Sequence, residues 1–119
     1  MKIELVEGEE ITYTFTVKKD GTAEDISSYT PTVYVHDDNA AVGTNRVDEG
    51  STSWVTDGTD GQFTYTFTSA NTLITESSDG YTDVSGDWAI KLDETSGTGL
   101  KWTKRERFVL RKNPFIAAT

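Results

Sequence analysis

Two segments of the chain alternate apolar residues with threonine. Residues 11–16 read ITYTFT and residues 63–68 read FTYTFT. A period of two sends Ile11, Tyr13, Phe15 and Val17 to one face and Thr12, Thr14 and Thr16 to the other. It separates Phe63, Tyr65 and Phe67 from Thr64, Thr66 and Thr68 in the same way. A helix would scatter these side chains around its circumference, so the pattern specifies strands with one face on a core and one in water. The segments differ in their flanks and are two strands meeting one demand rather than a duplicated repeat. The 20 threonines of the chain fit exposed β faces.

The remaining strands follow from the same period and from turn residues. Strands are expected at about 2–6, 10–18, 31–37, 52–56, 84–93 and 100–112, with a short strand or core plug within 22–29. Pro31 begins its strand, where a missing N–H is tolerable. Lys19-Asp20-Gly21, TDGTDG at 56–61 and ETSGTG at 94–99 are turns, and residues 37–50 are a polar loop or weak edge hairpin. Residues 69–83 read as a short helical turn crossing between sheets. The expected fold class is all-β: an antiparallel immunoglobulin-like sandwich of seven or eight strands over residues 1–113, followed by an apolar tail, 114–119.

At 119 residues the chain makes one domain with enough buried surface for a single core. It has no cysteine, hence no disulfide and no thiolate zinc site. The opening MKIELVEGEE lacks the apolar run of a signal peptide, and no stretch approaches the roughly 20 apolar residues of a membrane span. Synthesis in the cytoplasm without a signal peptide is the expectation. The net charge is −9. Residues 1–99 carry 19 acidic and 5 basic side chains, whereas residues 100–119 carry 6 basic and 1 acidic. The acidic bulk argues against nucleic acid and anionic membrane as partners. The basic KRER run lies within the last strand, beside Trp102, Phe108 and Leu110. Its charges either meet acidic neighbours inside the domain or form a docking edge. In the docking reading, Lys104, Arg105, Arg107 and Arg111 act together with the apolar Phe115 and Ile116 of the tail.

Trp88 is in phase with Ile90 and Leu92 and reads as core; Trp102 reads as core with Phe108 and Leu110 if no bulge intervenes; Trp54 is ambiguous. Exposed, coplanar tryptophans would instead make a sugar-binding face. The acidic turns at 37–39, 57–61 and 79–83 read as turns, with a weak cation at Asp57 and Asp60 as the alternative. His36, the one histidine, is out of phase with Val33 and Val35 and is expected to face solvent. No nucleophile elbow, phosphate loop or distinguished carboxylate pair is present, so no cofactor is implied and no enzyme is expected.

Four segments carry a family resemblance: GEEITYTFTV after an early turn, GQFTYTFTSANT in mid-chain, GDWAIKLDE, and a closing strand ending FVLRKNPF. Together they resemble the small immunoglobulin-like domains of tailed-phage virion proteins, above all the N-terminal domain of baseplate upper proteins. The resemblance implies a non-enzymatic scaffold in the virion. It would dock on other virion proteins in multiple copies of a symmetric assembly, at the baseplate or tail, the neck, or the head as a decoration protein. The alternative is a carbohydrate-binding β-sandwich module.

Overall fold

The two threonine-alternating segments become partners in one ladder. The computed structural model describes residues 1–75 and 81–116. In chain order its strands are β1 (Ile3–Val6), β2 (Ile11–Thr16), β3 (Lys18–Lys19), β4 (Thr22–Ala23), β5 (Tyr29–Asp37), β6 (Val47–Ser51), β7 (Ser53–Trp54), β8 (Gln62–Phe67), β9 (Val84–Glu94), β10 (Leu100–Trp102) and β11 (Glu106–Arg111). Strands β2 and β8 run antiparallel and set Ile11 opposite Phe67, Tyr13 opposite Tyr65 and Phe15 opposite Phe63. The Phe15 and Phe63 rings stack at 5.4 Å, while on the outer face the hydroxyls of Thr12 and Thr66 bond at 2.7 Å. Both faces of the pattern are thus used, one for packing and one for cross-strand hydrogen bonding.

Strand β7 completes this smaller sheet in the order β2-β8-β7. The larger sheet runs β1-β11-β9-β5-β6, with β10 also paired to β9, and β3 and β4 form a separate hairpin. The spine is the β5–β9 pairing, which puts Val33 opposite Ile90 and Val35 opposite Trp88. Aromatic contacts bridge the two sheets: Phe15 meets Trp88 at 5.1 Å and Phe67 meets Phe108 at 6.0 Å. Such pairs contribute about 0.5–1.5 kcal/mol beyond the area they bury. Phe15, Tyr65, Phe67, Trp88 and Ile90 are all buried, as their phase requires.

The fold class is the expected all-β sandwich, with differences in detail. One pairing is not antiparallel: β1 lies parallel to β11, Ile3 opposite Phe108 and Leu5 opposite Leu110. The Glu7-Gly8 turn carries the chain from one sheet to the other, so β1 and β2 never form a hairpin and β1 takes the open flank of β11. Strand β5 starts two residues before Pro31, which is tolerated because the β6 pairing begins only at Thr32. The segment 37–50, expected as a polar loop or weak edge hairpin, is a loop that leads into the edge strand β6, and β6 pairs back on β5 with a register shift between Val33 and Val35. Of the short helical turn expected at 69–83, the described part carries two successive bonds between residues three apart. Asn71 and Thr72 N–H groups donate to Thr68 and Ser69 carbonyls as successive tight turns, and residues 76–80 lie outside the described residues.

Among the described residues, two acidic side chains are buried in the framework. The Glu7 carboxylate, 2% exposed, accepts the Ile74 N–H at 3.1 Å and the Asn113 N–H at 3.2 Å. It stitches the turn after β1 to two distant segments. Asp37 pairs with Arg46 at 2.8 Å, and Arg46 also donates to the carbonyls of Asn71 (3.2 Å) and Leu73 (2.6 Å). Hydrogen bonds to every face of such a pair are what make its burial tolerable.

Candidate functional site

The basic residues of the last strand do not form one patch. Arg107 donates to Asp38 at 2.8 and 3.2 Å and to Asp87 at 2.8 Å. Arg111 reaches Glu4 at 3.1 Å and Asp83 at 3.2 Å. Both arginines therefore meet acids of their own domain. The guanidinium of Arg107 holds the Asp38 carboxyl below the usual range, and these bonds raise the arginine's own pKa. The Lys112 N–H and then Arg111 lower Asp83 likewise. Arg105 projects into solvent, 3.8 Å from Asp87, and Lys104 is exposed on the opposite side of the chain, beside a different cleft. At the tail, Phe115 is 93% exposed, while Ile116 folds back onto the domain. Its carbonyl accepts the Tyr81 hydroxyl and its side chain lies against Gly8, whose φ of +84° favours a residue without a Cβ. The six docking residues are thus dispersed. Arg107 and Arg111 lie on β11, Arg105 precedes it, Lys104 borders another cleft, and of the tail pair only Phe115 projects outward.

What the structure does assemble is an aromatic cleft on the outer face of the larger sheet. Trp102 on β10 and Tyr34 on β5 stand 4.9 Å apart with ring planes at 59°. Ala89, opposite Tyr34, forms the floor between them. His36, Asn45, Asp87 and Arg105 rim the cleft, which encloses about 390 Å³. Trp102 is 52% exposed, so its expected core position is overturned. The cause is a bulge. Trp102 lies opposite Lys91 and Glu106 opposite Trp88, so three steps along β9 face four steps along the β10–β11 side. The extra residue shifts the phase and sends Trp102 and Phe108 to opposite faces. Thr103 anchors the bulge by exchanging bonds of 2.9 and 3.0 Å with the Ile90 backbone.

The rim of the cleft has defined polarity. Asn45 Nδ2 donates to Asp48 at 3.2 Å, which turns Asn45 Oδ1 toward His36 Nδ1 at 3.0 Å. His36 Nδ1 therefore carries the hydrogen, and in the neutral ring Nε2 is left as an acceptor. His36 is half-buried rather than fully solvent-facing. Lys91 is also half-buried and sits 5.4 Å from the Tyr34 ring centre. Hydrogen bonds to Tyr34 and Glu49 raise its pKa.

The acidic turns use their carboxylates locally. Asp57 Oδ1 accepts both the N–H and the hydroxyl of Thr59, at 3.0 and 2.6 Å, and these bonds lower its pKa. Asp60 Oδ1 accepts the Gln62 N–H at 3.0 Å. Asp83 is occupied as described above; Asp79 lies outside the described residues. Trp54 is partly buried against the core. Sequence reasoning missed the buried Glu7 and the Asp37–Arg46 pair. The signal for Asp37 was present, since it continues the inward phase of Val33 and Val35.

The structure is thus a pleated two-sheet scaffold with an aromatic cleft on the outer face of its larger sheet. Among solved structures the chain is similar to the N-terminal domain of phage TP901-1 ORF48, with TM-score 0.59 and 12% identity, covering 92% of this chain and 84% of that chain. The likeness is one of fold, and it agrees with the resemblance to phage virion domains read from the four sequence segments. AggA, the major subunit of aggregative adherence fimbriae type I from Escherichia coli, aligns over 93% of this chain and 90% of its own at 14% identity, but a TM-score of 0.26 carries no argument. No protein-family model and no curated protein sequence matches the chain.

Proposed function

We propose that this chain is a non-enzymatic structural domain of a tailed-phage particle, docked on other virion proteins in multiple copies. The observation that carries this reading is the shared fold with a phage domain over 92% of the chain. Baseplate or tail is the first position to test, ahead of neck and head decoration. The projecting Phe115, with Arg105 and Lys104 elsewhere on the surface, supplies side chains not spent on the domain's own core. An exposed apolar ring rimmed by polar groups is a usual anchor for a partner groove. The test is peptide mass spectrometry of purified particles from the phage or prophage that encodes the chain, with immunogold labelling to place it. A chain present in infected cells but missing from intact particles would overturn the reading.

A second reading, saccharide binding, is favoured by the aromatic cleft. Trp102 offers a half-exposed ring face, and His36, Asp87 and Arg105 offer an acceptor, a carboxylate and a donor at its rim. Sugars combine an apolar ring face with equatorial hydroxyls, which suits such a mixture. Titrating mono- and disaccharides while following tryptophan fluorescence tests it, with Trp102→Ala as control. Signal changes of equal size in the two proteins would exclude this cleft.

A further inference from the structure

Strand β2 is an edge strand of the smaller sheet, and among the described residues nothing pairs with its outer side. The direction of its backbone groups follows from one bond. Val17 N–H donates to Gly61 O on the β8 side at 2.9 Å. Backbone groups of alternate residues point the same way in an antiparallel ladder. Those of Ile11, Tyr13 and Phe15 therefore face β8, and those of Thr12, Thr14 and Thr16 face outward, unpaired. This edge borders an open cleft of about 460 Å³ lined by Thr14, Thr16 and Lys18.

The sequence around this edge is its own complement when read backwards. It runs Glu9-Glu10-Ile11-Thr12-Tyr13-Thr14-Phe15-Thr16-Val17-Lys18-Lys19. Two copies laid antiparallel and centred on Thr14 put Glu9 opposite Lys19 and Glu10 opposite Lys18. Ile11 then meets Val17, Tyr13 meets Phe15 and Thr12 meets Thr16. The outward-facing groups of Thr12, Thr14 and Thr16 pair with one another in this register, and apolar side chains stay on the core side. Moving the centre by one residue puts Glu10 opposite Thr16 and loses both charge pairs. Glu10, Lys18 and Lys19 are exposed and have no ion-pair partner among the described residues. Glu9 commits one carboxylate oxygen to the Val6 N–H at 3.1 Å. Glu10, Lys18 and Lys19 at the two ends of this strand are thus left without an ion pair among the described residues, in contrast to Arg107 and Arg111.

We propose that β2 pairs with β2 of a second copy across a two-fold axis through Thr14, joining two three-stranded sheets into one of six strands. Symmetric pairing of one surface patch is the commonest route to a dimer, and it removes an exposed sheet edge that would otherwise recruit chains without order. The inference goes beyond the virion reading and does not depend on it.

The experiment is sedimentation over a concentration range up to high micromolar, at low and high salt. The wild-type chain should form dimers that weaken with salt. Glu10→Lys and Lys18→Glu each place two like-charge pairs across the axis and should weaken the dimer about tenfold. The double variant Glu10→Lys/Lys18→Glu restores opposite charges and should recover wild-type association. Thr14→Pro removes the central outward N–H, which β8 does not use, and should yield a monomer; near-ultraviolet circular dichroism checks that it is folded. A wild-type chain that stays monomeric, or a dimer in which the charge exchange shows no recovery, overturns the proposal. Because the exchanged residues are exposed, that arm holds even if Thr14→Pro fails to fold.

Discussion

Trp102 and Phe108 lie on opposite faces of the same sheet, although they are six positions apart, an even offset. The bulge between β10 and β11 is the reason, and it predicts two unequal substitutions. Phe108→Ala, like Phe67→Ala, removes a fully buried ring and should cost about 3–5 kcal/mol. Trp102→Ala, made at a half-exposed site, should cost about 1 kcal/mol or less. Urea unfolding of the three variants measures both. Equal losses at Trp102 and Phe108 would contradict the phase shift.

Glu7→Ala should be among the most damaging polar substitutions. It leaves the buried N–H of Ile74 without its acceptor, at a cost of about 1–3 kcal/mol, and the part-buried N–H of Asn113 without its own, at a smaller cost. Hydrogen exchange at these two amides gives a local readout, since both should exchange faster than in the wild type. Unchanged protection would show that they have other partners.

The tail should divide into two roles. Phe115→Ala should leave the melting temperature unchanged, because the ring touches solvent. Gly8→Ala should lower it, since its Cβ would lie 2.5 Å from the Ile116 side chain and its φ is positive. The strain is worth about 1 kcal/mol. If removing residues 114–119 abolishes particle incorporation with little change in melting, docking by the tail is supported. A large fall in melting with no effect specific to incorporation would assign the tail to its own core.

Acid should destabilise the domain in a defined window. Asp38, Asp57 and Asp83 have depressed pKa values in the folded chain. Their contribution is complete above the unfolded carboxylate value of about 3.9 and is lost as pH falls through their lower folded values. Stability should therefore decline below about pH 4, and less steeply in Arg107→Gln, where Asp38 loses its partner. Identical pH profiles would remove Arg107 as the cause.

Calcium should have no effect on melting. Asp57 and Asp60 each hold their own turn through the Thr59 and Gln62 backbone N–H groups. A rise of several degrees in millimolar calcium would reveal a site that binds the folded state.

The β2 and β8 strands were legible because one face of each is buried and the other is wet, so the alternation has no competing reading. The Arg107 and Arg111 pairings were legible only as a class. Acidic excess elsewhere in the chain foretold partners, but not that Asp38, Asp87, Glu4 and Asp83 would supply them. The aromatic cleft was not legible. Its existence depends on one extra residue at the bulge, which composition does not mark and periodicity alone misplaces. The parallel β1–β11 pairing was hidden for a related reason: local pattern defines a strand's faces, while its neighbour is chosen by distant chain connections.

That parallel pairing gives the domain a mechanical character. The first and last strands lie side by side with Ile3 level with Phe108 and Val6 level with Arg111. Tension that draws β1 toward its own start and β11 toward its own end slides them along each other. The ladder is then loaded in shear, with its hydrogen bonds sharing the force, rather than opened one bond at a time as in a pulled hairpin. Resistance to such a pull is governed by the unfolding rate and not by equilibrium stability. A domain wired in this way can be modest in free energy and still hold when stretched end to end.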